Sequence, residues 1–172
     1  LTHKINVKIG ELPHSLLTAI RQFVLVRAIR IARGDKTVHN SMLVHVSRFV
    51  RVQAQVRNEI HDVLSVIQQS IRLNSRKLVS EALLDPQMMA LHEVWREEFA
   101  GLEFKWNDLQ PLLYDAAAPI RVVAVNSNSS GALNYADHAQ DGLNVIAVGG
   151  MALSRGLTLE GLSVSYFLRN TA

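Results

Sequence analysis

Asn144-Val145-Ile146-Ala147-Val148-Gly149-Gly150 is the stretch on which the fold turns. It is a short, β-branched apolar run that stops at a glycine pair, the pattern of a buried parallel strand ending where backbone bends sharply or approaches a ligand. Leu153-Ser154-Arg155-Gly156-Leu157-Thr158-Leu159-Glu160-Gly161-Leu162 follows, then Ser163-Val164-Ser165-Tyr166-Phe167-Leu168-Arg169. The whole reads as strand, glycine turn, one short helical turn, strand. In open α/β sheets function gathers at strand ends. Ser154, Arg155 and Thr158 bring polar groups to this exit, and Gly156 suits a left-handed residue closing the turn. The plainer alternative is an ordinary connection between strands whose arginine is solvated.

Working outward, two more apolar runs have strand character. Met42 to Val46 reads as a central parallel strand, with Ser47 and Arg48 at its C-terminal end. If that strand is parallel to the one at Val145, Ser47 and Arg48 share a sheet edge with Gly149 and Gly150. Ile120 to Val125 is the third strand, and Asn126-Ser127-Asn128-Ser129-Ser130-Gly131 is a polar loop at its end. Such a loop suits a phosphate or sugar path, although most are solvated turns. A further strand begins near Leu162. Ile5, Val7 and Ile9 alternate with Lys4, Asn6 and Lys8, which predicts a half-buried strand at a sheet edge.

Helices fill the intervals. Glu11-Leu12-Pro13 opens one, proline being tolerated in a first turn, and Leu16, Ile20, Phe23, Val24, Ala28 and Ile31 recur at helical spacing until Gly34. Arg21, Arg27, Arg30, Arg33 and Lys36 ride on this helix or just beyond it. They read either as a solvated polar face or as a basic surface following a nucleic-acid backbone. From Phe49 to about Asn74 the apolar stripe Val56, Ile60, Val63, Leu64, Ile67 and Ile71 predicts a long amphipathic helix. Ser75 to Leu84, Pro86 to about Ala100, and Asn107 to Ala118 predict three more, with breaks at Asp85-Pro86, Gly101 and Pro119. Trp95, Phe99, Phe104 and Trp106 gather at one junction, as a small core of their own or as a base-stacking surface. The expected architecture is α/β, with a core of residues 1–48 and 119–172 and an all-helical insertion at 49–118 over one end of the sheet.

The chain holds 172 residues, enough for one domain with a real core, and 48% hydrophobic content with 9 glycines and 4 prolines describes a folded chain. Having no cysteine, it has no disulfide, thiol nucleophile or thiolate metal site, which suits a cytoplasmic setting. A net charge of +3 is compatible with a phosphate-rich partner and equally with none. Leu1 opens without a signal peptide, so the chain reads as an internal piece of a longer protein, with no membrane partner. There is no Gly-Lys-Ser/Thr phosphate loop and no nucleophile elbow.

Metal chemistry finds thin support. His39 and His45 lack a matching carboxylate cluster, and Asp137, His138 and Asp141 lie in a connection that fixes no geometry. Asp85 followed by Glu103-Phe104-Lys105 has the outline of a restriction-nuclease set, in which two carboxylates hold a metal and a lysine orients water. The proline follows that aspartate instead of preceding it, and the surroundings are helical where a strand is needed.

The run Ser154 to Leu162, followed by Ser165 to Arg169, resembles the signature of the Z-one endonuclease domain family. His39-Asn40-Ser41-Met42-Leu43-Val44-His45-Val46-Ser47-Arg48-Phe49 is similar to an earlier block of the same family, and the likeness spans roughly residues 12 to 170. Met151 departs from it, standing where a polar residue is expected. The resemblance implies a bacterial protein with a superfamily-two helicase core, in restriction or phage defence. Arg155-Gly156-Leu157-Thr158-Leu159 is also similar to the Arg-Gly-Leu-Asp-Ile motif of the second RecA-like helicase domain. There the loop touches the nucleic-acid backbone and the aspartate reaches the nucleotide ribose. Thr158 stands at the aspartate position, which puts ribose contact in question.

Together the resemblances imply a RecA-like parallel sheet that grips DNA, or RNA, through Ser47, Arg48, Asn126, Ser127, Gly149, Gly150, Ser154, Arg155, Gly156 and Thr158. ATP and Mg2+ would serve the full-length parent and its N-terminal motor domain, and the chain alone would carry no cofactor and no activity. The competing reading is a protein-interaction scaffold with a degenerate helicase motif. A true nuclease comes third.

Overall fold

The computed structural model describes residues 12–46, 50–126, 133–150 and 158–168. Among the described residues four strands form one parallel sheet: β1 (Asn40–His45), β2 (Arg121–Val125), β3 (Asn144–Gly149) and β4 (Leu162–Phe167), in the order β2-β3-β1-β4. The strand expected around Ile5 lies outside the described residues.

The pleat divides each strand between two faces. Met42 and Val44 of β1 with Val46 just beyond it, Ile146 and Val148 of β3, and Val122 of β2 enter the main core, with Val164 and Tyr166 of β4 and the following Leu168 packed against it. Helix α1 (His14–Ala32) and helix α2 (Val50–Asn74) cover this face. On the other face Tyr135, Leu143 and Val145 form a smaller cluster with Val123 and Leu133. Every residue of β3 is buried, as its unbroken apolar run requires of a central strand.

Connections follow the same division. The β1-to-β2 crossover runs through α2 on the main-core face, and the return from β2 to β3 runs through the short 3-10 turn Tyr135–His138 on the other. The two travel in opposite directions along the sheet on opposite faces, so they share one hand, as right-twisted strands demand.

Helix α1 departs from the one-sided pattern. It is wedged between β4 and three later helices: α4 (Pro86–Glu98), α5 (Trp106–Leu109) and α6 (Leu113–Ala117). Its apolar face carries Leu16, Ile20, Phe23 and Val24, yet Leu25 and Ile29 are buried as well. A helix apolar on most sides is buried on most sides. The helical stretch therefore shares the core of the sheet, with α2 against β2 and β3 and with α4 and α6 against α1 and α2.

Local chemistry shortens two predicted helices. Only α3 (Val79–Ala82) forms within Ser75 to Leu84, because Leu78 enters with extended backbone and Asp85 begins the next helix as its cap. The segment from Asn107 to Ala118 breaks into α5, a 3-10 turn at Gln110–Leu112 and α6, since Pro111 cannot donate inside a continuous helix. Trp95, Phe99 and Trp106 join the main core instead of forming one of their own. Trp106 is buried, its ring centroid 5.9 Å from that of Trp95, and its indole donates to Gln110 Oε1 at 2.9 Å.

Candidate functional site

Strand register aligns the exits. Val125 pairs with Gly149, Gly149 with His45, and His45 with Phe167, so one row of residues crosses the sheet at its C-terminal edge. Val46 N–H donates to Gly149 O at 2.8 Å and Leu168 N–H to His45 O at 2.8 Å, which extends the pairing one residue past the row. Asn126, Gly150 and Val46 follow directly. Adjacent strands β1 and β3 send their connections opposite ways, to β2 and to β4. This is a topological switch point, where open α/β sheets form a crevice at their carboxyl ends.

The predicted site residues divide accordingly. Gly149, Gly150 and Asn126 come together at this edge, the two glycines buried and Asn126 half-buried. Ser47, Arg48, Ser127, Ser154, Arg155 and Gly156 lie outside the described residues. Thr158 is exposed and belongs to the opposite edge. Two residues on, the Glu160 carbonyl accepts the Ser41 hydroxyl at 2.7 Å, and Ser41 is the second residue of β1. From Ser41 to the exit row at His45 the strand runs about 13 Å, whereas two residues reach at most about 7 Å.

That opposite edge is closed by hydrogen bonds. Ser41 Oγ lies 2.7 Å from Tyr135 Oη. Burial pushes the Tyr135 phenol up. Asn40 Nδ2 donates to Val38 O and to Asn144 Oδ1, while Arg30 Nη1 donates to Asn40 Oδ1 at 2.7 Å. His39 Nδ1 accepts Leu143 N–H at 2.9 Å, and Nε2 faces Glu160 Oε2 at 3.5 Å.

The basic residues on and just beyond α1 divide between the interior and the surface, with Arg33 and Lys36 exposed. Arg27 is buried, and its guanidinium donates to Asp35 O and Lys36 O. Arg30 is spent on His39 O and Asn40, Arg33 on Glu103, Lys36 on Asp115, and Arg21 on Gln87. Within the helix Arg27 and Arg30 serve loop carbonyls and the Asn40 amide oxygen, while beyond it Arg33 and Lys36 pair with carboxylates at the surface.

The nuclease outline dissolves in the same way. Asp85 caps α4, accepting from Gln87 N–H at 2.9 Å, from Met88 N–H at 3.1 Å and from the Ser70 hydroxyl. Burial would raise its pKa, but these three donors and Lys77 outweigh burial and hold it below the ordinary aspartate range. Glu103 binds Arg33 in a fork at 2.6 and 3.0 Å, and that pairing lowers its pKa to about 2. Among the described residues no group of three His, Asp or Glu side chains is placed to hold a metal ion.

One feature of the strand-exit edge escaped the sequence reading. His45 and Phe167 stack, with ring centroids 5.4 Å apart and planes 29° from parallel. The signal was present in β4: Val164 and Tyr166 face the core, so Phe167 falls on the outward side with Ser163 and Ser165.

The sheet and its exits define an open, all-parallel α/β domain with polar segments following three strands at one edge. No curated protein and no solved structure matches the chain. The family model of the Z1 domain matches residues 15–172, and the chain belongs to that family. Among the described residues no helix is long and apolar enough to cross a membrane.

Proposed function

We propose that this chain is the nucleic-acid-gripping half of an ATP-dependent DNA-processing protein, comparable to the second, RecA-like motor domain of a helicase. The observation that carries the reading is the switch point between β1 and β3, where Gly149 pairs with His45. Three polar segments depart from this edge, and two of them hold Arg48 and Arg155. Guanidinium groups and strand-exit amides suit phosphate oxygens. On this reading Ser47, Arg48, Asn126, Ser127, Ser154, Arg155 and Gly156 follow the sugar-phosphate backbone, with Gly149 and Gly150 providing close backbone packing. Thr158 stands apart from that track. The parent works in the bacterial cytoplasm, in restriction or phage defence, and DNA is the principal ligand.

ATP and Mg2+ belong to the longer parent and its other motor domain. The sequence contains no Gly-Lys-Ser/Thr loop, and Thr158 replaces the ribose-binding carboxylate, so these residues do not fit the nucleotide by themselves. The isolated chain should hydrolyse no ATP.

The test is fluorescence anisotropy with single-stranded and duplex DNA across a salt series. Wild type should bind weakly, with affinity falling steeply as salt rises. Arg155→Ala should weaken binding and reduce the log–log salt slope by about 1. A second reading, a docking scaffold, draws on Leu78 and Leu84 of the helical block, which are 71% and 83% exposed. Absence of binding at low salt, or binding indifferent to Arg155→Ala, would favour the scaffold.

A further inference from the structure

We infer that His45 and Phe167 form a shelf on which one unpaired nucleobase stacks. The inference rests on the nucleic-acid reading and adds to it the part of the ligand being recognised: the flat face of a base beside its phosphate.

Three observations meet at this point. Phe167 is 56% exposed although it lies at the end of a strand in the sheet, and the half-buried His45 ring beneath it fixes its orientation. Both rings stand on the face away from the main core, since Val44 and Tyr166 beside them point into that core. The outward neighbour two residues earlier in β4 is Ser165, whose small side chain leaves the phenyl ring standing clear. The pair also occupies the row that contains Gly149, and Phe167 is two strands away, about 10 Å at ordinary strand spacing. That is within the span of a nucleotide or two laid across the edge.

Single exposed aromatic side chains are common and need no explanation. Here the ring is held by a second ring at offset-stacking distance, one strand from the switch-point crevice. A phenyl ring has two side-chain torsions, and one already braced loses little freedom when a base lies on it. Aromatic platforms of this kind accept any base, because every base has a π face, and they require that it be unpaired. The occupant is therefore a single strand, and duplex ends or interiors are poor substitutes.

The experiment compares two fluorescein-labelled strands of equal length and charge, oligodeoxyadenylate and an abasic analogue, binding to the full chain by anisotropy. Wild type should prefer the base-bearing strand by about five- to hundredfold, the usual worth of one stacked base. Phe167→Ala should abolish that preference while leaving affinity for the abasic strand unchanged, and Phe167→Trp should keep it. Phe167→Leu, apolar but without a flat face, should behave like alanine and guards against an alanine-specific loss of folding. A wild type that binds both strands equally, or a preference that survives Phe167→Ala, would overturn the shelf and leave the phosphate grip standing. Failure of both strands to bind at low salt would remove the shelf and the nucleic-acid reading together.

Discussion

Asp85 shows how a residue with catalytic chemistry can be fully employed in structure. Its carboxylate takes two amide donors from the first turn of α4 and the Ser70 hydroxyl from α2, so it joins two helices as well as capping one. Asp85→Ala should cost about 1 kcal/mol, the usual loss for an N-cap aspartate, and Asp85→Asn should recover much of it in urea unfolding. The pH sign follows from the lowered pKa. The ionised cap contributes fully above the ordinary aspartate value of 3.8 and loses its contribution as pH falls through the lower folded value. The gap between wild type and Asp85→Ala should therefore narrow in acid and stay flat from pH 5 to 7. A gap unchanged down to pH 2 would mean that the charge is not what caps the helix. The three arginines of α1 carry the same lesson. Charge at a position predicts chemistry, but only the surroundings decide whether it meets a carbonyl or a ligand.

At the scale of elements, β4 depends on a backbone contact that no side chain advertises. Gly161 sits at φ +68°, and a Cβ there would fall 1.9 Å from His39 O. The His39 oxygen is backbone, at the entry to β1, and cannot move without shifting the strand. Gly34 is also left-handed, at φ +94°, but open space surrounds it. Replacing each by alanine separates the two effects. Gly34→Ala should cost about 1–2 kcal/mol from dihedral strain alone. Gly161→Ala should cost at least about 3 kcal/mol, strain plus overpacking, and should weaken the β1–β4 pairing seen by amide exchange. Equal penalties at the two positions would show that the close approach to His39 is not constraining. The sequence marked Gly34 as a helix stop, whereas the role of Gly161 depends on a residue 122 positions earlier, His39.

For the whole molecule the central fact is that the helical stretch and the sheet share one hydrophobic cluster. Ile60, Leu64 and Ile67 of α2 and Met88 and Leu91 of α4 are buried with Val44 and Ile146. Such a core should melt as a unit. The chain's 2 tryptophans, Trp95 and Trp106, both report from the helical stretch, so their fluorescence should follow the same transition as far-UV circular dichroism. Ile67→Ala should lower both midpoints together, by about 2–5 kcal/mol of stability. Two separated transitions would mean that the helices fold apart from the sheet.

The sequence by itself determined what depends on neighbours along the chain. Strand runs at Met42, Ile120 and Val145, the glycine exit, the long α2 stripe and the family signature were all legible, because period and composition are local properties. Only the tertiary structure decided what depends on distant partners. Parallel register brought Asn126, Gly149 and His45 to one edge and left Thr158 at the other. Burial of α1 turned its arginines inward, and the pairing of β1 with β4 placed Phe167 over His45. The physical reason is common to all three: a side chain's surroundings are set by contacts across the sheet and between helices, and those contacts are not written in the spacing of any one segment.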